Sequence, residues 1–140
     1  RYNTKDIGYF GGLISIMPKF AVFFLIFSLG SIGFPGSSGF IGEFLTLLAV
    51  FSKNTLIACL ASIGIILAAA YMLKLYKKVF LGEINNNVLS VKDDLRINEI
   101  IVFSMLVILI ILIGIKPNLL LDFSTSSIER IITLYPISIF

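Results

Sequence analysis

Between Phe20 and Phe51 the chain runs for 32 residues with a single charge, Glu43, and this stretch limits the possible folds more than any other. A straight helix of that length would reach about 48 Å, against a bilayer hydrocarbon core about 30 Å thick. Two separate crossings would need at least about 34 residues plus a turn. The segment fits neither case. Its interior carries Gly33-Phe34-Pro35-Gly36-Ser37-Ser38-Gly39, where Pro35 lacks an N–H and clashes with the preceding turn, so that the carbonyl near Ser31 loses its helical partner. The glycines relax the backbone further. The expectation is two half-helices joined by non-helical backbone, together crossing once.

The rest of the chain reads the same way. Of its 140 residues 58% are hydrophobic and 14% charged, with a mean hydropathy of +1.04; a soluble domain carries about 25% charged residues. Residues 20–42, 55–73 and 100–115 hold no charge at all. The third stretch is short, and Ile97 with the apolar stem of Lys116 extends it. The expected fold is therefore all-α and polytopic, with three transmembrane helices, the first discontinuous, and a short C-terminal interfacial helix. As a single membrane module, 1–19 form the lead-in, 20–51 the broken helix and 55–78 the second span, capped by Asn54 or Thr55. A hydrated loop follows over 79–98, then the third span over 99–116 and a tail over 117–140. In that tail, Ser126-Ser127-Ile128-Glu129 has the form of a capping box.

Charge placement orients the module. One crossing within 20–51 puts eight of the eleven basic residues (Arg1, Lys5, Lys19, Lys74, Lys77, Lys78, Lys92, Arg96) on the side of the N-terminus. Two crossings would divide them six to five. The positive-inside bias favours the first, with the N-terminus on the matrix or cytoplasmic side and the C-terminus opposite. The net charge of +3 sits beside apolar spans, where lipid headgroups account for it, so nucleic acid is not an expected partner. Cys59 stands alone, which excludes a disulfide framework. Histidine is absent, and with it the commonest metal ligand. The chain opens Arg-Tyr-Asn-Thr-Lys-Asp without an initiator Met or a signal-peptide pattern. Abundant Phe, Ile, Asn and Lys fit an organellar or AT-rich bacterial gene.

Chemistry concentrates at the break. Backbone without helical bonds at membrane depth is tolerated only where protein packs on it or water reaches it, and discontinuous helices recur at ion and substrate sites of transporters. The candidate residues are Gly33, Pro35, Gly36, Ser37, Ser38 and Gly39 in the break, and Glu43 just beyond it as a proton relay. An ionisable group within a span is costly and marks function by default. Desolvation favours its neutral form, whereas the positive end of the second half-helix favours the carboxylate, a balance that suits a group loading and releasing protons. Two plainer readings stand beside this one: a proline kink that only adjusts packing, and a structural ion pair between Glu43 and a lysine of a neighbouring helix. Lys19 and Lys74 read as snorkelling interface residues, Tyr71 and Tyr76 as interfacial anchors, Cys59 as packing. No carboxylate pair, phosphate loop or metal cluster is evident, so redox or hydrolytic chemistry is not expected in the chain itself.

The stretch Ser31-Ile-Gly-Phe-Pro-Gly-Ser-Ser-Gly-Phe-Ile-Gly-Glu-Phe44 resembles the broken-helix signature of the M-type (chain 4) antiporter-like subunits of respiratory complex I, NADH:ubiquinone oxidoreductase. The flanks agree: Thr4-Lys-Asp-Ile7, Gly11-Gly12-Leu13 and Met17-Pro18 before it, then Ala69-Ala-Tyr-Met-Leu73, Phe80-Leu-Gly82, Gly114-Ile-Lys-Pro117 and Leu121-Asp122 after it. The resemblance implies a proton-translocating fragment of an NADH:ubiquinone reductase, in which Glu43 is the protonatable residue at the outlet end of a proton channel. It implies no cofactor in this chain, with NAD, FMN, iron–sulfur clusters and ubiquinone held by other subunits. Other membrane-arm subunits and lipid are the implied partners, in the mitochondrial inner membrane or a bacterial plasma membrane. The sister antiporter-like subunits, and the related cation/proton antiporters, carry a lysine here after a Pro-Pro break, so Pro35-Gly36 and Glu43 favour the M type. The family's chain is several times longer, and its other channel residues, a glutamate and lysines on earlier helices, have no counterpart here. The chain is then a split-gene product or a fragment, completed by a chain that supplies the missing helices. A subunit of a cation/proton antiporter complex and a structural membrane scaffold are the alternatives.

Overall fold

The computed structural model describes residues 6–84 and 93–134, and among these every regular element is a helix, without a strand. Two 3-10 turns, Ile7–Tyr9 and Leu13–Ser15, lead into α1 (Pro18–Ile32), α2 (Ser38–Lys53), α3 (Thr55–Phe80), α4 (Ile97–Ile115) and α5 (Asn118–Leu134). Asn85 to Asn87 and Lys92, assigned above to a hydrated loop, lie outside the described residues.

Local chemistry fixes each boundary. Pro18 opens α1 with its φ already set for a helix. Asn54 separates α2 from α3 by a single extended residue, and its Oδ1 accepts the N–H groups of Leu56 and Ile57 at 3.0 and 3.2 Å. That is the cap expected from the sequence. Lys77 and Lys78 fill the last turn of α3, where positive charge suits the helix dipole. At the start of α4, Glu99 Oε2 accepts the N–H of Arg96 at 2.8 Å.

The C-terminal helix corrects the reading of the tail. The backbone of Ser126 and Ser127 lies inside α5, which begins at Asn118 and is longer than the short helix expected. Lys116 and Pro117 already interrupt α4, and Leu120 and Leu121 donate to the carbonyl of Pro117 at 3.0 and 3.1 Å. The helix thus restarts directly after the interruption, and the later Ser-x-x-Glu pattern has no non-helical stretch to cap.

Packing sets the order of the helices in space. Phe20 and Phe24 of α1 meet Phe80 at the end of α3, with ring centroids 5.6 and 5.0 Å apart, and Tyr76 stacks on Phe80 at 4.9 Å. Each such ring pair contributes about 0.5–1.5 kcal/mol beyond area burial. Leu13, Met17, Ala21 and Phe80 form the buried core beneath these rings. Tyr76 belongs to that cluster rather than to the interface alone. Phe23 and Phe27 meet Phe103 at 5.5 and 5.8 Å, and Gly30 lies against Ile110 farther along both helices, so α4 runs parallel to α1, while α3 runs back along it. Farther on, α2 lies beside Ala61 and Ile65 of α3. The two helices α1 and α2 therefore follow one another along the length of α3.

Little else is buried. Leu56, Ile66 and Ile97 are each 68% exposed and Met105 65%. Among the described residues, α3 and α4 are long and apolar enough to cross a bilayer, and α1 is apolar but shorter. Apolar helices that turn their side chains outward in this number suit lipid or partner helices rather than water.

Candidate functional site

The end of α1 is built by glycine. Gly33 adopts φ 77° in the left-handed region; its N–H donates to Gly30 O at 3.4 Å and that of Phe34 to Leu29 O at 3.0 Å. This is a Schellman closure, which satisfies two of the carbonyls a helix end leaves open. Phe34-Pro35-Gly36-Ser37 then makes a tight turn. Pro35 supplies its second residue, Gly36 its third at φ 95°, and the Ser37 N–H returns to Phe34 O at 3.0 Å. That is the residue order a type II turn demands.

Ser37 closes the break from the other side. It is 7% exposed. Its hydroxyl donates to Phe34 O at 2.8 Å and accepts the N–H of Phe40 at 3.4 Å, which makes it the N-cap of α2. Of the two serines singled out in the sequence, Ser37 caps and Ser38 is the first helical residue. Pro35 lies in the turn and not in a helix, so the break is five residues of non-helical backbone, 33–37, and not a kink within one helix.

Close backbone approach holds the halves together. A Cβ on Gly39 would strike the carbonyl of Gly30, and one on Gly114 would strike the Gly36 carbonyl and the Ser37 backbone. Nothing larger than glycine fits at either position. Gly114 carries no local signal of this role, because its partner lies in the break. The contact puts the break level with the last turn of α4, two residues before Lys116.

Glu43 reaches back to the break. A methyl group on Gly33 would collide with Glu43 Oε2, so the carboxylate lies over the left-handed residue of the Schellman closure. The side chain is half-buried, and among the described residues no hydrogen bond or ion pair engages it. Lys19 and Lys74 are exposed. They belong to the ends of α1 and α3 that meet at Phe20 and Phe80, away from Glu43. On its other side Glu43 borders an open groove of about 270 Å³, lined with Gly42, Thr46, Leu47, Ala61 and Ile65. Thr46 donates its hydroxyl to Gly42 O at 2.7 Å. The structure thus gathers Gly33, Gly36, Ser37, Gly39 and Glu43 into one locus. Among the described residues no group of His, Cys, Asp and Glu is arranged to hold a metal ion.

These features define an all-helical chain with helices long and apolar enough to cross a bilayer, and a half-buried acid beside the turn that joins α1 to α2. Residues 1–69 match the family described as NADH:quinone oxidoreductase/Mrp antiporter, TM. NADH-quinone oxidoreductase subunit M of Rickettsia bellii is 49% identical over 132 residues, 94% of this chain and 27% of that protein. The subunit M of Rhodobacter capsulatus is 40% identical over 135 residues, 96% of this chain and 26% of its own length. NADH-ubiquinone oxidoreductase chain 4 of Marchantia polymorpha is 39% identical over 132 residues, 94% and 27% of the two chains. The chain belongs to this family of antiporter-like membrane subunits, in its subunit M or chain 4 branch, and spans about a quarter of the length of the curated relatives it matches.

Proposed function

We propose that the chain is the outlet segment of a proton-translocating subunit of a respiratory NADH:quinone oxidoreductase, with Glu43 as the group that takes up and releases the proton. The observation that carries this reading is the half-buried Glu43 carboxylate lying over Gly33, at the five-residue turn where α1 and α2 give up helical bonding. A charged group moved against 100 mV costs about 2.3 kcal/mol, so such a path has to be gated rather than open. The glycine-built turn and the groove beside Glu43 supply a place for water, and the nearby end of α4 a short way out. Three crossings, with α1 and α2 sharing the first, fit the succession of these two helices along α3. The N-terminus then faces the matrix or cytoplasm.

Electron transfer, with its NAD, FMN, iron–sulfur clusters and quinone, belongs in this reading to other subunits. The partners are membrane-arm subunits, among them the chain that supplies the remaining antiporter-like helices, in a mitochondrial inner membrane or a bacterial plasma membrane. Glu43→Gln in the assembled complex tests the proposal. The expected result is normal assembly and continued NADH oxidation, with the protons moved per NADH sharply reduced. Undiminished pumping would refute it. Sodium-dependent proton flux in vesicles holding the complex would instead favour a cation/proton antiporter.

A further inference from the structure

α1 begins without a cap of its own. Met17 occupies the N-cap position with no side-chain hydrogen bond, and Pro18 has no N–H to offer. The amides of Lys19 and Phe20 are then the first donors that need an acceptor. Asp94 supplies it from 75 residues away: Oδ2 accepts the N–H of Lys19 at 2.9 Å, and Oδ1 accepts that of Phe20 at 3.3 Å. Oδ1 also accepts the N–H of Leu95 at 2.7 Å. Glu99, on the first turn of α4, accepts from Arg96. The stretch 94–99 therefore caps two helices at once and brings their N-termini side by side.

We propose that Asp94 is a positioning residue for the relay: by capping α1 it fixes the height of α1 against α4, and with it the height of the helix break. The pair is parallel and in contact along its length, at Phe23 and Phe27 on Phe103, at Gly30 on Ile110, and at Gly36 on Gly114. The far contact tolerates no slip. A shift of one residue, about 1.5 Å along the axis, would carry the Gly36 carbonyl off Gly114, the position on α4 that lacks a Cβ. Asp94 sets the register at one end and Gly114 accepts only that register at the other. Gly33, under the Glu43 carboxylate, rides on the same helix. An ionised carboxylate is also the favoured charge at a helix N-terminus.

This role rests on the relay reading of Glu43, and the test separates the two. Asp94→Ala, Asp94→Asn and Asp94→Glu would be compared with Glu43→Gln in the assembled native complex. Three quantities are read: hydrogen exchange at the Lys19 and Phe20 amides, NADH oxidation, and protons moved per NADH. Loss of the cap in Asp94→Ala should speed exchange at those two amides about five- to tenfold. It should also lower the protons moved per NADH while oxidation continues. Asp94→Asn keeps an acceptor oxygen in place and should restore most of both. Asp94→Glu keeps the charge but displaces the acceptor by a methylene, so it should pump less than Asp94→Asn. The reverse order overturns the proposal even where Asp94→Ala does not assemble. Unchanged exchange in Asp94→Ala overturns it as well, as does unchanged stoichiometry where Glu43→Gln abolishes pumping. Full pumping in Glu43→Gln removes the relay itself, and the exchange measurement then judges the cap alone.

Discussion

Gly33 and Gly36 have the same backbone requirement and different surroundings, which separates strain from function. Both hold φ in the left-handed region, at 77° and 95°, where a side chain costs about 1–2 kcal/mol. A methyl on Gly36 meets nothing within 4 Å, whereas one on Gly33 meets the Glu43 carboxylate. That carboxylate ends a flexible side chain and can move aside, so the collision displaces the acid rather than the fold. Gly33→Ala and Gly36→Ala should therefore lower the unfolding midpoint of the complex by similar amounts, while only Gly33→Ala reduces protons moved per NADH. Equal loss of pumping in the two would detach the acid's position from its role. Ser37→Ala removes both the Phe34 and the Phe40 bonds and should destabilise the segment by about 1 kcal/mol, measurable as faster hydrogen exchange at Phe40.

At the scale of elements, the α1–α2–α4 junction depends on two backbone contacts that have no slack. Because the neighbour of Gly114 is backbone, it cannot rotate away as a side chain would. Gly114→Val should prevent the subunit from assembling, and its level in membranes would show this; wild-type abundance would mean that α4 does not seat against the break. Much of the broken element was legible in the chain alone, since Gly-Phe-Pro-Gly-Ser-Ser-Gly states its turn chemistry locally and Asn54 states its cap. The contacts that fix its position were not. Asp94 reads as a loop acid and Gly114 as an apolar-span glycine until the fold brings each against residues far away in the sequence. The tail misled for the opposite reason: Ser126-Ser127-Ile128-Glu129 has the composition of a cap, but α5 was already running when it reached those residues. A local pattern specifies a helix start only where the preceding backbone is not helical.

For the molecule as a whole, the outward-facing apolar surface and the groove beside Glu43 pose one question, namely which of these surfaces water reaches. Among the described residues only Leu13, Met17, Ala21, Ala58 and Phe80 are buried apolar groups, so the module relies on lipid and partner helices to cover the rest. A relay at Glu43 requires that this cover leave the groove wet, because a carboxylate sealed in hydrocarbon has nothing to exchange a proton with. Thr46 lines the groove, and Leu48, two residues on, is 56% exposed on α2. With Cys59 replaced by Ser to remove the native thiol, Thr46→Cys and Leu48→Cys should respond differently to a small charged thiol reagent in the assembled complex. Thr46→Cys should react, since thiolates form only where water reaches, and Leu48→Cys should stay protected by lipid or a neighbouring helix. Labelling should also slow when turnover is stopped, if the path is gated rather than permanently open. Protection at both positions under all conditions would leave Glu43 without a proton source, and the module would then be a scaffold that keeps the shape of a channel without its conduction.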